Sequence, residues 1–95
     1  MIENDVEKYL VCRIANIGGL AWKLTSPGNS GVPDRIVIYH GRLYFIELKR
    51  PGNKMRKLQE YRRKELNKQG FDVMCLDSKK TVDIFIDEVK RGDGK

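Results

Sequence analysis

Gly31-Val32-Pro33-Asp34-Arg35-Ile36-Val37-Ile38-Tyr39-His40-Gly41-Arg42-Leu43-Tyr44-Phe45-Ile46-Glu47-Leu48-Lys49 is the stretch that decides the fold. Two apolar runs, Ile36 to Tyr39 and Leu43 to Leu48, flank His40-Gly41, a short turn signal of the kind that closes a β-hairpin. A turn centred there sets Asp34 opposite Glu47. Directly opposed residues carry their Cβ atoms roughly 4.5 to 5.5 Å apart on one face of the sheet. Lys49 joins that face, because side chains alternate along a strand. The result holds for a two- or four-residue loop and fails for an odd one.

Two carboxylates so placed repel by roughly 3 kcal/mol at an effective dielectric constant near 20 and a 5 Å separation. A divalent cation offsets this. Mg²⁺ is held by one or two carboxylates and keeps waters that can become nucleophiles. The Lys49 ammonium adds a point charge suited to a phosphate oxygen or an ion-bound hydroxide. On a free surface hairpin the same charges would merely be solvated, but both strands here are too apolar for a free surface.

Composition sets the frame around this trio. The 95 residues, 40% hydrophobic and 34% charged, suit one globular domain covering residues 1–95, with 91–95 as a frayed tail. So small a core is marginal alone and gains from a second copy. Cys12 and Cys75 lack Cys-x-x-Cys spacing and lie in apolar stretches, so they are expected to be buried small hydrophobes in a reducing compartment. No basic start precedes the amphipathic first segment, and no apolar run is long enough for a membrane span. The expected location is the cytoplasm.

Charge is unevenly spread. The net charge is +6, yet residues 49–68 alone hold nine cations against Glu60 and Glu65, a balance of +7 that leaves the rest at −1. Most charge runs are solvated helix faces. This one begins on Lys49, beside the carboxylates, which makes it a candidate footprint for a phosphate backbone.

A coarse pass gives one continuous α/β unit. Val6, Leu10, Ile14 and Ile17 recur at helical spacing over residues 2–17, with Gly18-Gly19 as a stop. Residues 20–24 read as a short strand and 25–33 as a loop, then the hairpin follows. Residues 55–69 read as a second helix ended by Gly70, 71–76 as a strand, and 80–89 as a third helix with Val82, Phe85, Ile86 and Val89 on one side. The hairpin is apolar on both faces, so helices are expected to cover both. Asp34, Glu47 and Lys49 then mark the end of a buried sheet, beside helix one. Glu3 and Glu7, one turn apart, share a helix face and could each add a carboxylate there, although acidic residues near a helix start are favoured by the helix dipole alone.

Counting excludes other chemistries. His40 is the sole histidine and falls in a turn, so zinc fingers, His-x-x-x-His sites and histidine-assisted serine or cysteine hydrolysis are ruled out. No Gly-x-x-x-x-Gly-Lys or Gly-x-Gly-x-x-Gly element is present, which excludes a nucleotide-driven motor.

Pro33-Asp34, a gap of twelve residues, then Glu47-Leu48-Lys49 resembles the signature of the PD-(D/E)xK nuclease superfamily. Within it, the Gly31-Val32-Pro33-Asp34-Arg35 loop, the Phe45-Ile46-Glu47-Leu48-Lys49 strand, the downstream Gln59 and the closing strand of Asp72 to Leu76 resemble the virus-type replication-repair nuclease (VRR-NUC) domain. The resemblance runs from Glu3 to Val89, and a Gly-x-Pro-Asp loop at hairpin spacing is more specific than a bare acid pair.

That resemblance implies a restriction-endonuclease-like α/β fold, a mixed β-sheet flanked by helices in the order αβββαβα. It implies Mg²⁺ or Mn²⁺ held by Asp34, Glu47, the Leu48 carbonyl and a helix-one glutamate, which Glu3 matches best and Glu7 second. Lys49 would orient or activate the attacking water, with Gln59 beside the site. Lys54, Arg56, Lys57, Arg62 and Arg63 would hold the DNA backbone. Short, phage-type members are similar to Holliday-junction resolvases, so a homodimer acting on branched DNA to leave a 5′-phosphate is expected. The dimer contacts are expected on exposed apolar residues of helix one or three. The rival reading is a non-catalytic nucleic-acid-binding module that uses the same basic helix at 54–68.

Overall fold

His40 and Gly41 both adopt positive φ, 48° and 79°, the pairing that a two-residue type I′ turn requires. Around that turn, β2 (Arg35–Tyr39) and β3 (Arg42–Leu48) pair antiparallel from Tyr39↔Arg42 to Arg35↔Ile46, the register expected from the sequence. The His40 ring stacks on that of Tyr39, with centroids 4.0 Å apart. In this computed structural model residues 3–49 and 53–92 are described, apart from the side chains of Glu3 and Asn4.

The element order is α1 (Glu3–Asn16), β1 (Leu20–Lys23), β2, β3, α2 (Lys57–Lys68), β4 (Val73–Leu76) and α3 (Lys79–Gly92). The four strands form one sheet in the order β1-β2-β3-β4, with β1 and β2 antiparallel and β4 parallel to β3. A parallel neighbour needs a crossover, and α2 supplies it. No described helix is long and apolar enough to cross a membrane. The third helix continues through Arg91 and Gly92, two residues into the stretch expected to fray, and residues 93–95 lie outside the described residues.

Side-chain alternation sorts the sheet into two unequal faces. Val37, Ile46, Leu48 and Leu76 point to one side, where Val6, Leu10 and Ile14 of α1 and Val82, Phe85, Ile86 and Val89 of α3 meet them in a single core. Each such side chain contributes roughly 1.5 to 3 kcal/mol by leaving water. A reciprocal cap starts α3: Ser78 Oγ accepts the Thr81 N–H at 3.1 Å, and Thr81 Oγ1 accepts the Ser78 N–H at 3.0 Å. The two helices are also joined by polar contacts, since Tyr9 and Arg13 on α1 both donate to Asp83 on α3.

The opposite face is covered only in part. Leu20 and Trp22 of β1 are 46% and 56% exposed there, next to half-buried Ile36 and Ile38, whereas two-sided cover was expected. The crossover helix lies over the β4 side of this face instead. Gly31 fixes its position: a Cβ at Gly31, whose φ is +86°, would stand 2.7 Å from Leu58 Cγ and 2.9 Å from the Leu58 carbonyl. Only glycine permits that approach and that backbone.

One expectation fails here. Cys12 and Cys75 are both exposed: Cys12 lies two positions from each of the core residues Leu10 and Ile14, and on β4 it is Leu76, next to Cys75, that enters the core. Of the helices expected to carry exposed apolar dimer contacts, α3 presents Ile84 and α1 none among the described residues; other exposed large apolar side chains lie on β1, on α2 and at Phe71 before β4.

Candidate active site

Asp34 is the last residue before β2, held in line by its carbonyl, which accepts the Leu24 N–H at 2.9 Å. Its side chain turns across to β3, where Oδ2 accepts the Leu48 N–H at 2.8 Å. The loop is thereby pinned to the strand that carries Glu47 and Lys49. Pro33, just before it, is buried and lines the same cleft.

Glu47 is the unusual residue of this chain. It is 1% exposed, and neither carboxylate oxygen has a hydrogen-bond partner among the described residues. A buried carboxylate left in that state costs several kcal/mol unless something compensates it. Burial, and after it the neighbouring Asp34 carboxylate, push the Glu47 carboxyl up to about 7, while Lys49 pulls the other way. Lys49 Nζ stands 3.5 Å from Glu47 Oε2, at ion-pair range and longer than a well-formed hydrogen bond.

The ammonium is held more firmly by α2. Lys49 Nζ donates to Gln59 Oε1 at 2.7 Å, and the same oxygen accepts the Arg56 N–H at 2.9 Å. Gln59 occupies the third position of α2, where a glutamine reaching back to the N-cap backbone is a capping device. One side chain therefore both starts the helix and fixes the lysine. It is buried, where a solvated surface glutamine would be the default on so basic a helix.

A cleft of about 320 Å³ opens at the sheet end, lined by Glu7, Lys23, Thr25, Asp34 and Leu48, with Leu24, Val32 and Pro33 along one wall. Glu7 enters it from α1. Its Oε2 accepts from Arg35 Nε at 2.8 Å, and Arg35 also donates to the Ala21 carbonyl at 3.0 Å, tying helix one to the first two strands. Glu3 opens α1, but its side chain lies outside the described residues, so of the two helix-one glutamates it is Glu7 that is seen at the cleft. No local pattern in the sequence signals that Arg35 engages it.

The donor set fits a divalent cation. Two adjacent carboxylates, one of them buried with no hydrogen-bond partner among the described residues, are hard oxygen ligands, and Leu48 lies on the cleft wall beside them. Among the described residues no group of three or more acidic, histidine or cysteine side chains is gathered at ion-binding distance. Mg²⁺ suits such a sparse set, because it usually keeps several waters.

The basic residues divide into two groups. Lys54, Arg56 and Lys57 are exposed at the start of α2, on the Gln59 side. Arg62 and Arg63 are engaged within the protein: Arg62 donates to the Ser30 carbonyl at 2.9 Å and pairs with Glu65 at 2.7 Å, and Arg63 lies 3.9 Å from Glu60. Arg62 thus fastens α2 to the loop before Asp34.

No family model matches the chain. A protein of Acyrthosiphon pisum secondary endosymbiont phage 1, named "Putative nuclease p44", is 43% identical over 77 residues, covering 80% of this chain and 83% of that protein. A solved structure described as a VRR_NUC domain superposes with a TM-score of 0.83 at 34% identity, covering 90% of this chain and 94% of the other. The αβββαβα order, the acid pair with its lysine at the sheet end and these two similarities converge: the chain belongs to the VRR-NUC family of nucleases, within the PD-(D/E)xK superfamily.

Proposed function

We propose that this nuclease is a Mg²⁺- or Mn²⁺-dependent DNA endonuclease that hydrolyses phosphodiester bonds, acts on branched DNA such as Holliday junctions, and works as a homodimer. The observation that carries the reading is the Glu47 carboxylate, fully buried, without a hydrogen-bond partner among the described residues and set against Asp34. Lys49 sets one positive charge against this buried acid and its neighbour Asp34, and a divalent ion would balance the second negative charge. Asp34, Glu47 and the Leu48 carbonyl would hold the ion, with Glu7 or Glu3 completing the shell. When bound, the ion supplies charge for the phosphoryl oxygens and lowers the pKa of a coordinated water.

The chain's own residues do the rest. An ammonium has three donors. Lys49 commits one to Gln59 and directs another at Glu47, leaving a third for the attacking water or a phosphate oxygen. Because Gln59 is anchored on a helix, that donor is fixed before substrate arrives, which is what rate enhancement by preorganised charge requires. The exposed Lys54, Arg56 and Lys57 bind phosphates without reading bases, consistent with recognition by shape. Dimerisation is supported by Leu20 and Trp22, which leave an apolar area on the open sheet face that a second copy would cover.

The test is a panel of plasmid, flap, fork and four-way junction DNA incubated with Mg²⁺, Mn²⁺ or a chelator. Cutting is expected with either ion, fastest on the junction, and absent with the chelator. Asp34→Asn and Glu47→Gln should abolish cutting while DNA binding survives. Cutting retained in either variant, or undiminished by the chelator, overturns the reading.

A further inference from the structure

Beside the cleft lies a larger groove that the hydrolytic chemistry leaves unused. It has a volume of about 790 Å³ and runs between α2 and the loop before Asp34. Its floor is Leu24, Phe45 and Leu66, with Pro33 on one wall and the Tyr61 ring on the other. Leu24, Val32 and Pro33 line both the groove and the Asp34 cleft, so the two cavities abut. Phe45 precedes Glu47 by two residues on the same face of β3, which sets the floor roughly 7 Å along the strand from the buried carboxylate.

We propose that this groove seats an unpaired nucleobase of the DNA next to the scissile phosphate. The inference rests on the nuclease reading above and narrows its substrate to DNA with an unstacked nucleotide at the cleavage point. Three observations carry it. The interior is apolar and has an aromatic wall: Tyr61 is 55% exposed, with the Arg62 guanidinium over its ring, and an exposed aromatic ring is the kind of surface on which bases stack. The rim is cationic, with Lys64 and Lys68 at the lip, while its acid, Glu65, is already paired with Arg62. The groove is also preformed: Arg62, one of its lining residues, bonds the Ser30 carbonyl of the loop, Gly31 packs on Leu58, and the Arg62 guanidinium lies 5.3 Å from the Tyr61 centroid.

Size and charge select this occupant over the alternatives. Clefts of roughly 300 to 1,000 Å³ are those that enclose small, flat organic groups. A second copy docked symmetrically on the groove would set Lys64 and Lys68 against the same lysines of a chain with net charge +6, which electrostatics disfavour. A base arrives attached to its own phosphates, so the apolar interior and basic lip are satisfied by one ligand.

The experiment uses the full chain in chelator, titrated with a 2-aminopurine-labelled duplex in which the label is either paired or in a single-nucleotide bulge. Wild-type protein is expected to bind the bulged duplex about five- to 150-fold more tightly, the range that base–aromatic stacking gives, and to change the label's fluorescence. Tyr61→Ala should bring that preference to about twofold or less and remove the fluorescence change, and Tyr61→Phe should restore both. An equal preference in wild type and Tyr61→Ala overturns the proposal, as does a loss of dimer on sedimentation of Tyr61→Ala, which would make the groove a protein contact. Failure of the nuclease reading is seen separately, as absence of cutting by wild-type protein with Mg²⁺ or Mn²⁺.

Discussion

Lys49 and Gln59 lie on different elements, one just past β3 and one in the first turn of α2, and are joined Nζ to Oε1 at 2.7 Å. That contact aims the ammonium at the acid pair, and the same Gln59 oxygen caps the helix. Gln59→Ala should therefore lose both functions. A stability loss of about 1 to 2 kcal/mol is expected from the cap and the charge-assisted bond. Cutting should slow by about 100-fold in kcat with little change in KM, since what is lost is orientation of a reacting group. Gln59→Glu keeps the acceptor and should recover most of the stability. Equal losses in kcat and in DNA affinity would show that Gln59 acts only by holding the fold.

The Glu47 carboxyl, raised from 4.5 to about 7 by burial and by Asp34, makes the ion-free protein pH-sensitive. Between those values the folded state keeps a proton that the unfolded chain releases, so this group's contribution is fully present below pH 4.5 and is lost as pH rises through about 7. The loss is roughly 3 kcal/mol. Thermal melts in chelator should fall from pH 5 to pH 8, and Glu47→Gln should flatten that fall because an amide carries no proton to lose. Saturating Mg²⁺ should flatten it too. A pH profile that Glu47→Gln leaves unaltered would contradict this account.

Gly31→Ala combines a φ of +86° with a Cβ 2.7 Å from Leu58. The backbone alone costs about 1 to 2 kcal/mol, and α2 must also shift away from the loop. A melting temperature lower by about 4 to 8 °C or more is expected, together with slower cutting, because Gln59 travels with α2. Gly28→Ala is the control: Gly28 also has positive φ, 83°, but a Cβ there meets nothing within 4 Å. It should destabilise without affecting cutting, and a matching loss of activity would remove the link between loop contact and catalysis.

DNA affinity should fall steeply with salt. If Lys54, Arg56, Lys57, Lys64 and Lys68, all exposed, release counterions from the backbone, the log–log slope should be about −3 to −5. Replacing one of them by Ala should reduce the slope by about 1, whereas Arg63→Ala, whose cation is 3.9 Å from Glu60, should change it less. A flat salt dependence would take α2 out of the interface.

How far the sequence reached follows from the range over which each feature is decided. The register of the hairpin, and with it the meeting of Asp34, Glu47 and Lys49, was legible because a two-residue turn and strict alternation are local rules acting over fewer than twenty residues. The helices were legible from Val6, Leu10 and Ile14, and from Val82, Phe85, Ile86 and Val89, whose spacing matches the helical period. The exposure of Cys12 and Cys75 is not legible in the sequence, because residue type alone does not say which side of an element faces the core.

The amino-acid sequence by itself determined the αβββαβα order, the cross-strand pairing and the acidic pair with its lysine, since each depends on neighbours along the chain. Only the tertiary structure decided that Gln59 would grip Lys49, that Arg35 would hold Glu7 at the cleft, that α2 would leave Leu20 and Trp22 open, and that a groove would abut the acids. Those outcomes depend on where α2 and α1 dock against the sheet. Docking is set by close contacts between distant residues, such as Gly31 with Leu58, which no local periodicity encodes.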